Sequence, residues 1–411
     1  MTVKQSLDNG RVVIFDEAGK GQPSIQYLRL ETTGRRTGNP HAVLLRFITF
    51  SSKIFVFPSN SGVQSWFLNV QKSSRVRVFY GTKVLTCDAV VRKISGLDDP
   101  LLSAFTRKYG RETVNRYYIG QHSYVELKPL STSSYDLDEV IYGDLEAAFD
   151  GVARDYDRHI FGNPINTWLR NVSISVMNLL FKSGDTVLEI GCGSGTETLS
   201  LAKRGVKVIA TDISKRMIEV LEAKAKIMGV EKNVVGIYSR PLDLKERLES
   251  LGYPKLNGAY STYGAVNTEP RLREALRDVH FLLKEKAPLL LGVWNKYCLY
   301  EMLGYSLKLK PGLAFARLRN PVPVGKSRFC VSTNAFSVGS LAGLVDPYFE
   351  LERVYGVVVT LPPSNLTKYL PGGRMFRLLK SIDLNVGRGF PMNRLGDHFL
   401  AVYRNESNVN A

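Results

Sequence analysis

Three glycines and two carboxylates carry the densest chemistry in this 411-residue sequence. Glu189, Gly191, Gly193 and Gly195 fall in the run Val187-Leu188-Glu189-Ile190-Gly191-Cys192-Gly193-Ser194-Gly195. Glycines so placed let the backbone turn sharply and let a ligand approach the main chain closely. About 20 residues later, Asp212 closes the next apolar run, Ile209-Ala210-Thr211. A carboxylate there can accept hydrogen bonds from both hydroxyls of a ribose. A dinucleotide site would show GxGxxG with its pyrophosphate at a helix N-terminus. Here Glu189 stands before the glycines, which disfavours pyrophosphate and suits a cationic, amino-acid-bearing ligand. A nicotinamide nucleotide and a chance strand–turn–helix are the competing readings.

The elements that must position these groups follow from patterning. From Asp185 the chain alternates apolar strands (Thr186–Ile190, Val206–Thr211, Val234–Tyr238, Gly258–Thr262, Pro288–Val293) with helices (Thr196–Arg204, Ser214–Met228, Arg271–Leu283). That alternation predicts a doubly wound α/β, Rossmann-like domain over 146–411. Leu351–Thr360 and His398–Tyr403 read as closing strands. Before it, residues 1–130 read as mostly β. Strands are expected at Ile25–Glu31, Ala42–Phe50, Lys53–Pro58, Arg75–Tyr80 and Val84–Lys93, with a helix at Pro100–Tyr109. The polar stretch within 131–145 reads as a linker.

The glycine run with Asp212 resembles motif I and its acidic partner in class I S-adenosylmethionine-dependent methyltransferases. Further matches extend the resemblance over about 146–404: Phe149-Asp150, Tyr156-Asp157, Asn163-Pro164 and Trp168-Leu169-Arg170 before the glycines; Ser261-Thr262-Tyr263-Gly264-Ala265-Val266-Asn267 after the fourth strand; and Leu395-Gly396-Asp397-His398 near the end. The resemblance implies S-adenosylmethionine as cofactor. Glu189, Gly191, Cys192, Gly193, Gly195, Asp212, Ile213, Met217, Leu242, Asp243 and Ser261 are then its expected contacts. Tyr156, Tyr263 and Asn267 are the candidates on the acceptor side. No general base is assigned; His280 reads as a packing residue. The sequence has no DPPY or NPPY, so exocyclic amines of DNA bases are disfavoured as acceptors.

The first part resembles the deazaflavin-dependent nitroreductase family, a split β-barrel. The matching residues are Leu30 through Pro40, with Arg35 and Arg36, then Ser59, Ser61, Gly62, Trp66 and Asn69. The resemblance implies a deazaflavin or flavin mononucleotide (FMN) site at Arg35, Arg36, Ser59, Ser61, Gly62, Trp66 and Asn69; a cofactor-free barrel used for binding or as a homodimer contact is the other reading. Adjacent arginines beside glycines and hydroxyls can cradle a phosphate.

Charge adds a partner class. The net charge is +17, which favours anionic partners. Residues 284–380 alone hold 14 Lys/Arg against 5 Asp/Glu. Within them, 295–345 reads as a basic, aromatic insertion in which Lys296, Lys308, Lys310 and Arg317 alternate with rings such as Tyr297, Tyr300 and Tyr305. Three readings stay open: a substrate lid, a lid that also touches an anionic membrane surface, and a single-stranded RNA platform. Cys87, Cys192, Cys298 and Cys330 are widely spaced and the five histidines scattered, so no metal site is expected. The same cysteine use fits a reducing cytoplasm. Neither a secretory leader nor a spanning helix is expected.

Together these observations predict a methyltransferase acting on a small or lipid-like molecule, with a quinone as the favoured acceptor, fused to a reductase-like barrel. The alternative is an RNA methyltransferase whose barrel is an accessory module.

Overall fold

The computed structural model describes residues 7–8, 11–12, 27–36, 38, 40–50, 53–58, 64–80, 83–94, 100–118, 123–134, 137–318, 333–370 and 372–406. The described residues up to Glu139 form one compact unit and those from Val140 onward a second.

In the first unit, β1 (Leu7–Asp8) and β2 (Arg11–Val12) make a short antiparallel ladder. Six longer strands close a barrel: β3 (Tyr27–Thr33), β4 (Pro40–Phe50), β5 (Lys53–Val56), β6 (Arg75–Tyr80), β7 (Lys83–Lys93) and β8 (Ser123–Ser134). Neighbours run antiparallel in the order β3-β4-β5-β8-β7-β6, and β3 pairs with β6 to complete the ring. Alternation drives the strands. In β6, Val76 and Val78 turn into the core while Arg75 and Arg77 face water. Leu28, Leu30, Ile54, Val56, Leu85 and Leu127 fill the interior. Helices α1 (Ser65–Lys72), α2 (Pro100–Tyr109) and α3 (Arg111–Tyr117) lie between strands. Phe105 of α2 packs against Phe57 and Tyr118 in a second apolar cluster.

The boundary between the two units, Glu139/Val140, falls inside the linker expected at 131–145, but the span is strand and helix rather than irregular chain. Ser131–Ser134 finish β8, paired with Lys83–Thr86 of β7, and α4 (Leu137–Val152) starts three residues later. The polar composition of this stretch reflects solvent exposure of paired backbone. A bulge leaves Leu130 without a partner residue next to Pro129, the residue type that cannot donate to a ladder.

The second unit is built on a seven-stranded sheet: β9 (Thr186–Ile190), β10 (Lys207–Asp212), β11 (Val234–Tyr238), β12 (Gly258–Ser261), β13 (Pro288–Trp294), β14 (Phe349–Val357) and β15 (His398–Asn405). The order is β11-β10-β9-β12-β13-β15-β14, with the first five parallel and β15 antiparallel to both neighbours. Numbered within the unit this is 3-2-1-4-5-7-6, unlike the 3-2-1-4-5-6 of the dinucleotide fold. Both faces are covered, so strands read as continuous apolar runs. Leu289, Leu291 and Val293 of β13 face one core, and Leu290 faces the other. One layer holds α9 (Leu244–Ser250), α11 (Leu272–Leu282) and α14 (Val338–Val345). The other holds α6 (Pro164–Leu180), α7 (Thr196–Ala202) and α8 (Lys215–Ile227). Short helices α5 (Tyr156–Phe161) and α10 (Ala265–Thr268) lie at the crevice.

Two features correct the expected insertion at 295–345. Its end, α14, packs Val338, Leu341 and Val345 into the sheet core and is part of the α/β cover. Its start holds α12 (Leu299–Ser306) and α13 (Pro311–Ala314). A second excursion, not expected, fills residues 358–397 between β14 and β15 and contains α15 (Gly373–Val386). The expected strand to Thr360 stops at Val357. Val358 takes φ +59°, and the buried Asp383 of α15 accepts the N–H groups of Val358, Val359 and Thr360 at 3.0, 2.7 and 2.8 Å.

Candidate functional site

A cleft opens at the carboxyl ends of β9, β10 and β12, the edge where open α/β sheets take ligands. Its floor is the glycine turn. Gly191, Gly193 and Gly195 all have positive φ (+75°, +51° and +83°). A Cβ on Gly191 would lie 2.3 Å from the Ala265 Cβ, and one on Gly195 would lie 2.1 Å from Leu221. Both a left-handed backbone and close packing therefore demand glycine at these positions.

Asp212 ends β10 and lines the cleft beside Ile213. Its Oδ2 accepts the Gly193 N–H at 2.8 Å, and its Oδ1 accepts the Ser214 N–H at 2.8 Å. Burial pushes its pKa up from 3.8 to about 6, while those N–H bonds pull it down. A carboxylate fixed at the end of this strand is placed where it can accept a vicinal diol.

Glu189, in contrast, does not line the cleft. It lies buried under it, with Oε2 accepting from Tyr260 Oη at 2.9 Å and from Thr198 Oγ1. Desolvation and the nearby Glu197 raise its pKa to about 8. The expected direct contact with a ligand is therefore not made by this side chain; it supports the turn from below. Cys192 lines the cleft as a buried thiol whose pKa burial pushes well up.

The remaining expected residues divide by position. Tyr156 and Tyr263 line the cleft; a Cβ on Gly193 would come within 3.4 Å of the Tyr156 ring. Tyr263 holds φ +50°, an uncommon conformation for a bulky residue, and donates to the Leu169 carbonyl. Asn267 points elsewhere: its amide bridges the Trp294 backbone and the Asn334 carbonyl. Ser261 is buried and donates to the Ile190 carbonyl at 2.8 Å. Gly195, Met217, Leu242 and Asp243 do not line the cleft. Their elements adjoin it: Met217 is buried in α8, and Pro241, next to Leu242, does line the wall. His280 is buried under the sheet, 2.7 Å from Asn405 Oδ1.

Several residues that line the cleft are not among the expected ligand contacts, although Phe149 and Arg170 lie in the matched segments. Arg170 of α6 is buried and bonded to Glu197 of α7 at 2.6 and 2.7 Å, and its guanidinium lies 5.4 Å from the Tyr263 ring centroid. Tyr142, Leu145 and Phe149 of α4 and Glu269 complete the wall, with Tyr142 Oη donating to Glu269. The polar composition around Tyr142 hid its role, and its partner is distant in sequence. Side-chain bonds tie α4 and α5 to the floor: Ser214 to Asp150 at 2.6 Å, and Lys224 to Asp157 at 2.8 Å.

Residues 187–286 match the methyltransferase domain family model. By that match the stretch reads as a methyltransferase domain. The chain is 27% identical over 154 residues to the ribosomal protein L11 methyltransferase of Campylobacter concisus, covering 32% of this chain and 52% of that protein. It is 30% identical over 160 residues to the uncharacterized protein MJ1252 of Methanocaldococcus jannaschii, covering 39% and 55%. A tRNA 5-carboxymethoxyuridine methyltransferase of Escherichia coli K12 is 30% identical over 107 residues, covering 25% and 41%. The chain thus spans about half the length of the curated relatives it matches. Among solved structures, the CcbJ methyltransferase from Streptomyces caelestis overlays 66% of this chain and all of its own, with TM-score 0.42 and 16% identity.

In the barrel, the structure brings Arg35 to Asn69. Asn69 Oδ1 accepts the Arg35 N–H at 3.1 Å and its guanidinium at 3.3 Å, while Asn69 Nδ2 donates to Thr32 at 3.1 Å. Lys72 donates to the Arg35 carbonyl at 2.8 Å. Trp66 is buried in the barrel core and Arg36 is exposed. Asn69 and Trp66, expected as cofactor contacts, are thus engaged in holding the fold. Ser59, Ser61 and Gly62 lie outside the described residues.

Proposed function

We propose that this chain is an S-adenosylmethionine-dependent methyltransferase of a small or lipid-like acceptor. The observation that carries the reading is Asp212, which lines the cleft and is held beside the glycine turn by the Gly193 and Ser214 N–H groups. When bound, S-adenosylmethionine supplies an electrophilic methyl carbon on a sulfonium. Asp212 would accept its ribose hydroxyls, and Gly191 and Gly193 would admit its chain to the backbone. Tyr156 and Tyr263 close the far wall. Arg170 would repel a sulfonium if free, but Glu197 neutralises it. The aromatic and aliphatic wall of Tyr142, Leu145, Phe149 and Pro241 suits a flat apolar acceptor and excludes water from it. A quinone, methylated in its reduced, more nucleophilic form, is the favoured candidate.

The test is calorimetric titration with S-adenosylmethionine, followed by labelled-methyl transfer to paired quinones and quinols. Absence of cofactor binding overturns the whole reading; binding without transfer to either redox form overturns the quinone. A second reading, an RNA acceptor, is supported by the similarity to the Escherichia coli tRNA enzyme. It requires salt-dependent RNA binding by the purified protein.

For the barrel, we propose a phosphate-bearing redox cofactor, deazaflavin or FMN, at the loop carrying Arg35 and Arg36. The Arg35 turn is held from below by Asn69 and Lys72, which supports a preformed anion site. Titration with either cofactor, with Arg35→Ala as control, tests it. A protein indifferent to both has a barrel of another use.

A further inference from the structure

We propose that the exposed face formed by α12, α13 and α15 docks onto an anionic lipid bilayer. Nineteen large hydrophobic side chains are exposed among the described residues, and eleven of them fall within residues 297–318 and 369–390. Such clustering is not the scatter of single apolar residues that a solvated surface shows.

Helix α15 makes the case most directly. Its inner face, Phe376, Leu379 and Leu384, packs on the sheet core. Met375, Leu378 and Ile382, at i, i+3 and i+7, form a second apolar stripe that faces solvent. A helix with apolar residues on both sides has one side left to cover. On α12 and the turn after it, Leu307 and Leu309 are 85% and 89% exposed, nearly as open as side chains can be. Lys308 Nζ joins the two regions by donating to Tyr369 Oη at 2.9 Å, four residues before α15 begins.

Charge selects the occupant. Lys308, Lys310, Arg374, Arg377 and Arg388 are all exposed in these stretches, as is Lys368 at their edge. The acidic residues there, Glu301 and Asp383, are both buried and both committed, to Arg317 and to the β14 terminus. Exposed aliphatic groups ringed by cations without anions fit hydrocarbon beneath acidic headgroups. Single-stranded RNA would instead need rings for stacking, and here seven of the eleven exposed side chains, with Leu307 and Leu309 the most open, carry no ring. The inference does not depend on the methyltransferase reading.

The test is flotation of the full chain with phosphatidylcholine vesicles, with and without phosphatidylglycerol. Flotation is expected only with the anionic vesicles, and weaker at high salt. Leu307→Asp/Leu309→Asp and Met375→Asp/Leu378→Asp should each lower partitioning by about tenfold or more, and Arg374→Glu/Arg377→Glu should lower it too. Ile227→Asp, an exposed apolar site on α8, should leave it unchanged. Thermal unfolding of each variant checks the fold, and the two aspartate pairs are independent of one another. The proposal is overturned if the wild type floats with neither vesicle, or if both aspartate pairs float like the wild type. It is equally overturned if those variants convert an oligomer to monomer without affecting flotation, or if polyuridylate binds while vesicles do not.

Discussion

Gly193 gives its backbone N–H to Asp212 at 2.8 Å, so the glycine turn and the acidic end of the next strand are one bonded unit before any ligand arrives. The carboxylate needs no reorientation to accept a diol, and preorganisation of this kind raises affinity by lowering the ordering cost of binding.

Replacing that carboxylate should therefore be costly. Asp212→Ala is expected to weaken S-adenosylmethionine binding by roughly 1.5–3 kcal/mol, read by calorimetry. The wild-type affinity should also depend on pH. Burial raises the Asp212 pKa to about 6, so the acceptor form is lost as pH falls through that value. Affinity should be level above neutrality and decline below about 6, and Asp212→Asn should flatten the profile. An unchanged profile in the asparagine variant would exclude this group as its source.

Gly191→Ala should abolish cofactor binding for two separable reasons. The new Cβ would meet Ala265 at 2.3 Å, and φ +75° is itself unfavourable for alanine. Ala265→Gly removes the first problem and leaves the second. The double variant should regain part of the stability lost, by thermal unfolding; full recovery would show that backbone strain contributes nothing.

Arg170 and Glu197 should be coupled. Arg170→Met leaves a buried carboxylate without its partner and should destabilise the second unit by about 3–5 kcal/mol in denaturant unfolding. Arg170→Met/Glu197→Leu should cost markedly less than the single change. Additive losses would mean that the pair acts only through packing.

Glu189 offers a pH test of stability. Its folded pKa is raised from 4.5 to about 8, so the folded state holds a proton that the unfolded chain gives up. The group therefore opposes folding increasingly as pH rises through that window, and fully above it. Glu189→Gln should unfold at a higher temperature than the wild type at alkaline pH, with the gap narrowing as pH falls toward 4.5. A gap independent of pH would sink the assignment.

The sequence made some of this architecture legible and hid the rest for physical reasons. Alternation in Arg75–Tyr80 and the glycine spacing at 191–195 are local signals, and both elements stand where expected. Strand β8 was not expected at all, and its polar end, Ser131–Ser134, becomes strand only through pairing with β7. The link from Tyr142 to Glu269 and the pairing of Arg170 with Glu197 join distant segments. No spacing rule reports such contacts. Glu189 misled because its type suggested a ligand contact, whereas its depth decides that it bonds Tyr260 and Thr198. Helix α15 went unread because it lies where a tight hairpin between antiparallel strands would suffice.

Asp383 gathers three consecutive backbone N–H groups at the end of β14, which leaves α15 no freedom to swing apart from the sheet. Whatever α15 rests against thereby fixes the tilt of the entire second unit, and with it the compass direction in which the cleft looks.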